Sequence, residues 1–224
     1  MKNFVLFGGN SEFCKTFIDL SKHKGYKVWG VSRKKIDNLS IDNQLLVSDY
    51  FKESTRILDF LKKIDQPYIF FFNGFLAENR PSYSPTIKEI KKTFEINYLI
   101  PVELTFIIKQ AIKIQKFVYI SSMAALKPRY KNYIYGISKK YLEDSIKQQS
   151  NLNYLIIRFG QIHTTMSEDH PKAPFSLSKE KASMKLIKLV DQSGKKYATK
   201  SLFLSSLILR VLPIKLINFI EEKR

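Results

Sequence analysis

Ser121-Ser122-Met123-Ala124-Ala125 and Tyr135-Gly136-Ile137-Ser138-Lys139 are the two short runs on which the fold of this chain turns. Upstream of them, Phe117-Val118-Tyr119-Ile120 is an unbroken apolar run, the mark of a buried strand. Downstream, Ile137, Tyr141, Leu142 and Ile146 recur at helical spacing, which predicts a helix continuing through Ser138 to Ile146. Tyr135 and Lys139 stand four positions apart, so a helix stacks their side chains on one face. An ammonium beside a phenol favours the phenolate, and the tyrosine pKa is expected to fall from about 10 toward neutral pH. Ser122 closes the preceding strand, where its hydroxyl can reach the same point. A proton donor and a hydroxyl able to bind a carbonyl oxygen are therefore expected side by side.

With Ser122 thirteen positions before the Tyr of a Tyr-x-x-x-Lys motif, the chain resembles the short-chain dehydrogenases/reductases, in their shorter, single-domain branch. The resemblance implies an α/β fold, a Rossmann-type doubly wound parallel sheet flanked by helices, and an NAD(P)-dependent oxidoreductase. It assigns catalytic roles to Ser122, Tyr135, Lys139 and Asn97. In the family the asparagine matched by Asn97, within Phe94-Glu95-Ile96-Asn97, kinks its helix and holds a water in a proton relay to the lysine. Two plainer readings stay open: Tyr135 and Lys139 on an ordinary surface helix, and Asn97 as a buried amide satisfied by structural partners.

Toward the N-terminus, Lys2 to Phe7 reads as a first buried strand, followed by Gly8-Gly9-Asn10-Ser11-Glu12-Phe13 and a helix carrying Phe13, Phe17, Ile18 and Leu20. A strand, a glycine turn and a helix open a dinucleotide-binding unit, in which backbone N–H groups and the helix dipole hold a diphosphate. The family pattern is Gly-x-x-x-Gly-x-Gly. Gly8 is kept, but Glu12 and Cys14 stand at the second and third glycine positions. Gly8, Asn10, Ser11, Glu12 and Phe13 are the expected cofactor contacts here, and a simple strand-to-helix turn is the alternative. A carboxylate at Glu12 is tolerable if it points to solvent.

A second strand, Gly25 to Val31, ends in Ser32-Arg33-Lys34-Lys35, with no acid before Asp37. An acid at this strand end would bind the ribose 2′-OH of NAD, whereas basic residues accommodate the 2′-phosphate of NADP. NADP(H) is therefore the preferred cofactor, at Ser32 and Arg33, with NAD(H) as the other. A short third strand is read at Leu45 to Ser48, a helix from Ser54 to Lys63, and a fourth strand at Tyr68 to Phe72. By the resemblance, Asp49 lies beside the adenine ring, Asn73 and Gly74 match the alanine and glycine of the family's Asn-Asn-Ala-Gly, and Ile162 and Thr164 contact the nicotinamide carboxamide. Thr86 to Gln110 is helical by periodicity, interrupted only at Pro101. Thr165 to Ser178 is polar with Pro171 and Pro174 and suits a mobile substrate-covering loop; His163 just before it is a candidate substrate contact or an exposed bystander.

At 224 residues with 44% hydrophobic side chains, the chain suits one globular domain, taken as residues 1–200, with an apolar and basic helical tail at 201–224. A single cysteine, Cys14, excludes an internal disulfide, and His23, His163 and His170 fall at no ligand-like spacing, so no metal is expected. The apolar run after Met1 is too short for a signal peptide, and a cytoplasmic protein is expected. The formal charge of +18 suits nucleic acid, an anionic membrane or phosphorylated ligands, but no nucleic-acid-binding signature is present. Ser201 to Ile220 is strongly apolar, with Arg210, Pro213 and Lys215 inside, which argues for two short helices rather than a membrane span. These helices fit an anionic membrane interface, a homo-oligomer contact or core packing.

The glycine turn, the Arg158 segment, the Pro171–Pro174 loop and the tail together look like reductases of polyprenyl-phosphate-linked ketosugars in cell-envelope synthesis. The expected function is NADPH-dependent reduction of a small-molecule ketone. The alternatives are a sugar-nucleotide epimerase or dehydratase of the longer branch, and a non-catalytic NADP-binding regulator.

Overall fold

The computed structural model describes residues 1–78 and 84–222. Among the described residues the strands are β1 (Asn3–Phe7), β2 (Lys27–Ser32), β3 (Asn43–Leu46), β4 (Tyr68–Phe71), β5 (Lys116–Ser122), β6 (Tyr154–Phe159) and β7 (Gly194–Tyr197). The helices are α1 (Glu12–His23), α2 (Ser54–Leu61), α3 (Ile87–Phe94), α4 (Ile100–Ala111), α5 (Tyr133–Lys147), α6 (Lys179–Leu189), α7 (Lys200–Val211) and α8 (Ile214–Glu222). All seven strands join one parallel sheet in the order β3-β2-β1-β4-β5-β6-β7. The expected doubly wound α/β sheet is what the chain forms.

Strand alternation divides the core in two. Phe4, Leu6, Phe70, Leu155 and Ile157 pack with Phe17 and Ile18 of α1 and Ala182 and Leu186 of α6. Val5, Phe7, Ile69, Phe71 and Ile156 turn the other way, against Ile57 of α2, Leu104 and Ile108 of α4, and Leu142 and Ile146 of α5. Strands covered on both faces read as unbroken apolar runs, which is why their positions were plain in the sequence. The strand order reverses between β1 and β4, and the crevice beyond their C-terminal ends is where doubly wound sheets place a ligand.

Several boundaries differ from the sequence expectation. β3 lies at Asn43–Leu46 because pairing with β2 fixes its register from Trp29↔Asn43 to Ser32↔Leu46. Val47 and Ser48 then leave the sheet, with Ser48 N–H held by the Glu53 carboxylate at 2.5 Å. The region read as one helix from Thr86 to Gln110 is α3, a π-helical turn over Glu95–Leu99, and α4. A Thr86–Glu89 capping box starts it. Pro101 falls in the first turn of α4, and lacking an N–H it cannot bond the Asn97 carbonyl four residues back. The helix takes up this missing bond in the π turn, where Ile100 N–H reaches Glu95 O. β7 and α6 carry no strong apolar period and were not read from the sequence. The segment expected as a tail begins one residue earlier, with Thr199 capping α7 and Leu202 buried in the α1–α6 core; its last two residues lie outside the described ones.

A buried ion pair ties α5 to the sheet. Arg158 on β6 donates to both Glu143 carboxylate oxygens, from Nε at 2.7 Å and Nη2 at 2.6 Å, and Ser121 Oγ donates to the same carboxylate at 2.7 Å. Breaking a buried pair strands a charge and costs about 3–5 kcal/mol, while replacing both partners is often neutral. Arg158→Leu should therefore lower the unfolding free energy by about that much in urea titrations, and the double variant Glu143→Leu/Arg158→Leu should recover most of it.

Candidate active site at the strand C-termini

The site forms where β5 ends and α5 begins. Gly136 allows the approach: a Cβ there would lie 2.8 Å from Ala124 O and 3.1 Å from Pro128 Cα. That close packing sets Tyr135 beside Ser122. Ser122 Oγ accepts from Ala124 N at 3.1 Å and starts the short 3-10 turn Met123–Ala125. Burial pushes the Tyr135 phenol up to about 12, with the Ser122 hydroxyl pulling in the opposite direction.

This corrects the expectation that Lys139 draws the phenol down. The Lys139 ammonium is buried and points instead at two backbone carbonyls, Asn73 O at 2.9 Å and Ile120 O at 3.1 Å. Desolvation is the leading influence on the phenol. Burial lowers Lys139 itself to about 8, with Glu143 one turn on opposing the shift. Tyr135 is thus a protonated phenol at neutral pH, suited to donating a proton.

Asn97 is fully buried in the π turn. Its side chain accepts from Phe75 N at 2.8 Å and donates to Phe75 O at 2.9 Å and Ser138 Oγ at 3.0 Å. Both amide hydrogens are engaged in joining the segment after β4 to α5, so the side chain is satisfied by structural partners.

Glu78 was missed by the sequence reading. It is buried, and its carboxylate accepts from Ile134 N at 2.5 Å and Tyr135 N at 3.3 Å, capping the helix that carries Tyr135. A carboxylate there answers the partial positive charge of the helix start. Its own carbonyl takes His170 Nε2 at 2.8 Å. No local pattern marks an acid that caps a helix more than fifty residues away.

At the other end of the crevice, Gly8 has φ of +79°, and a Cβ on it would lie 2.9 Å from Asn73 N. Only glycine lets β1 turn this close to β4. Ser11 caps α1, accepting from Cys14 N at 3.1 Å, Phe13 is buried beneath, and Asn10 Nδ2 donates to Lys34 O at 2.9 Å. Glu12 does not point free to solvent as expected. Lys179 Nζ donates to it at 2.6 Å and Thr165 N at 3.0 Å, and these bonds hold its carboxyl down at about 2. The turn Thr165–Ser167 therefore bridges the start of α1, and Met166 Cε lies 3.6 Å from the position of a Cβ on Gly74.

The remaining expected contacts fall along the same edge. Ser32 is buried and its hydroxyl donates to Lys34 O at 2.6 Å, whereas Arg33 is exposed and lines a cleft of about 540 Å³ with Ile87, Lys88, Lys91, Lys92, Glu95 and Ile96. Asp49 accepts from Phe51 N and Lys52 N, and Tyr50 after it is buried, its hydroxyl donating to Val31 O at 3.4 Å. Ile162 O accepts from Ser167 Oγ at 2.8 Å and, at 3.5 Å, from Thr164 Oγ1. His163 is exposed and pairs with Ser176 Oγ at 2.9 Å, away from Tyr135's hydrogen-bond set. Arg158, part of the ketosugar resemblance, is structural.

The residues fit a dinucleotide at this edge. Gly8 clears the approach to β4, the Asn73 Oδ1 acceptor is buried with no protein partner, and the Arg33 cleft supplies cations. The Glu12 carboxylate opposes a diphosphate at the same turn unless Lys179 stays with it.

No protein-family model matches the chain, and no curated protein matches it in sequence. Solved structures match it closely in fold. A short chain dehydrogenase from Burkholderia cenocepacia J2315, solved in complex with NADP, superposes with a TM-score of 0.77 at 13% identity, over 94% of this chain and 95% of that one. A 3-oxoacyl-acyl-carrier-protein reductase from Brucella melitensis in complex with NAD gives 0.73 at 13%, over 90% and 96%. A short-chain dehydrogenase from Streptomyces avermitilis gives 0.72 at 16%, over 94% and 93%. The chain has the fold of the short-chain dehydrogenases/reductases along nearly its whole described length.

Two measurements check this geometry. Lys139 should titrate near pH 8 by NMR of its side chain, far below the ordinary 10.5. The folded protein then binds fewer protons than the unfolded chain between those values, so this group's contribution to stability rises as pH climbs from about 8 to about 10.5. A titration near 10.5 would mean that the ammonium is not buried. Separately, Glu12→Gln should speed amide exchange at Thr165 several-fold, because the amide loses a charged acceptor for a neutral one.

Proposed function

We propose that the chain is a short-chain dehydrogenase/reductase that reduces a ketone with NADPH in the cytoplasm. The observation that carries this reading is the convergence of Ser122, Tyr135 and Lys139 beyond the C-terminal ends of β4 and β5, at the crevice of a doubly wound sheet. Bound there, the nicotinamide would supply the hydride. Ser122 binds the carbonyl oxygen of the substrate. Tyr135, protonated across the neutral range, donates its proton to that oxygen as charge develops, a contribution of about 10²–10⁴-fold. Lys139 holds the β4 and β5 ends in register with the helix and places a cation beside the cofactor ribose.

Gly8, Asn10, Ser11 and Phe13 would surround the diphosphate, with Lys179 neutralising Glu12. Asn73 Oδ1 and Gly74 line the middle of the crevice, and Ile162 and Thr164 its nicotinamide end. Preference for NADP(H) rests on Arg33, joined by Lys88, Lys91 and Lys92, a basic set with only Glu95 opposite in sign. Structural neighbours solved with NADP and with NAD support a nicotinamide cofactor of either kind. A ketosugar, carried on a polyprenyl phosphate in cell-envelope synthesis, is the proposed substrate.

Tyr135→Phe should abolish NADPH oxidation in a ketosugar screen while leaving NADPH affinity, measured by isothermal titration, within a few-fold of the parent. Arg33→Glu should weaken NADPH by ten-fold or more, about 1.4 kcal/mol, and leave NADH little changed. Full turnover by the phenylalanine variant would overturn the catalytic assignment. Equal loss of both cofactors in the Arg33 variant would overturn the NADP reading.

A further inference from the structure

α7 and α8 follow one another through Leu212-Pro213, each with buried positions and an uncovered apolar side. Inward, Leu202, Ser206 and Ile217 are buried. Outward, Phe203, Leu204, Leu207, Ile208 and Val211 recur one helical turn apart, and Ile214, Leu216 and Phe219 continue the surface on α8. Leu204, Ile208 and Val211 are 58%, 59% and 80% exposed. Eight of the twenty large apolar side chains exposed among the described residues lie in these two short helices. Scattered exposed leucines need no explanation, but a continuous stripe does.

Both helices are anchored to the segment between Ser122 and Tyr135. Lys127 Nζ donates to Leu209 O at 3.3 Å and to Leu212 O, satisfying carbonyls where α7 ends. Tyr130 N donates to Asn218 Oδ1 on α8 at 3.3 Å. Lys127 and Tyr130 thus tie α7 and α8 to the segment that joins Ser122 to Tyr135.

Charge decides between the occupants. On the two helices Lys200, Arg210 and Lys215 are cations, the only acids, Glu221 and Glu222, stand at the far end of α8, and the chain carries a formal charge of +18. A second copy docked face to face would bring the same cations against them, which is repulsive. An anionic bilayer surface supplies the opposite sign, and lysine and arginine beside an apolar stripe can reach headgroups while the stripe enters the acyl boundary. No helix among the described residues is long and apolar enough to cross a membrane, so α7 and α8 would lie in the interface plane.

We propose that the α7–α8 face docks the protein on an anionic lipid bilayer. The claim does not depend on the reductase reading, and its test uses no activity. The full chain is sedimented with vesicles of equal parts phosphatidylcholine and phosphatidylglycerol, and with phosphatidylcholine alone, at low and high salt. Binding to the anionic vesicles, weakened by salt and lost by roughly tenfold or more in Leu204→Glu/Ile208→Glu, is the expected result. Both positions are exposed, so the variant should keep the parent's circular dichroism; Arg210→Glu/Lys215→Glu, which leaves the stripe intact, should weaken binding in the same direction.

No binding to anionic vesicles overturns the proposal. So does binding unaffected by either variant, which would reflect the scattered lysines alone. Equal binding to neutral vesicles removes the charge argument and overturns the claim of an anionic surface. A dimer in sedimentation velocity that Leu204→Glu/Ile208→Glu converts to monomer would show the face to be a contact between copies.

Discussion

The buried ammonium of Lys139 holds two strand ends and a helix together at one point. It donates to the carbonyl at the end of β5 and to the one just past β4, from a helix that reaches them only because Gly136 has no side chain. A charge this buried carries a desolvation cost, visible in its lowered pKa, and the neighbouring Glu143 offsets part of it. Glu143 is in turn held by Arg158 and Ser121, so the cation at the crevice is coupled through one carboxylate to β6. Moving any of these groups shifts Tyr135 relative to Ser122.

The same helix is fixed at its start by Glu78 and at its flank by Asn97, whose amide joins Phe75 to Ser138. Tyr135 is therefore positioned from both sides of the sheet's switch point. What this rigid setting does not do is make the phenol acidic. Burial stabilises the neutral form, and the nearest cation is turned toward carbonyls instead. The phenol is therefore protonated across the neutral range, as a proton donor must be.

Much of this was legible in the sequence because the sheet is covered on both faces. Runs such as Phe4-Val5-Leu6-Phe7 and Tyr68 to Phe71 have no polar residue to blur them, and Gly8, Gly74, Ser122 and Tyr135 all fall at their ends or on the next helix. Sequence spacing could place Lys139 one turn from Tyr135, but not tell which way its ammonium points. That depends on carbonyls 19 and 66 residues away. Glu12 and Lys179 are separated by 167 positions, and Glu78 meets α5 across more than fifty. Such pairs are decided by tertiary approach, and only the unusual carboxylate in the glycine turn hinted at one of them. The lysines of α3 were equally invisible as partners of Arg33 until the fold brought them to one cleft.

Glu12 gives the crevice a property that a glycine at that position would lack. Its carboxylate draws Thr165 and Lys179 across the start of α1, so the loop after β6 is held by the position where the family pattern has its second glycine. A dinucleotide diphosphate bound as proposed would compete with that carboxylate for the same donors, and like charges at one helix start repel. Lys179 can stay with Glu12 and cancel its charge, or leave it for the phosphate, but it cannot do both fully. On the proposed cofactor reading, diphosphate binding and loop position would be linked through the Glu12–Lys179 pair, which holds the loop and cancels the carboxylate's charge at the helix start.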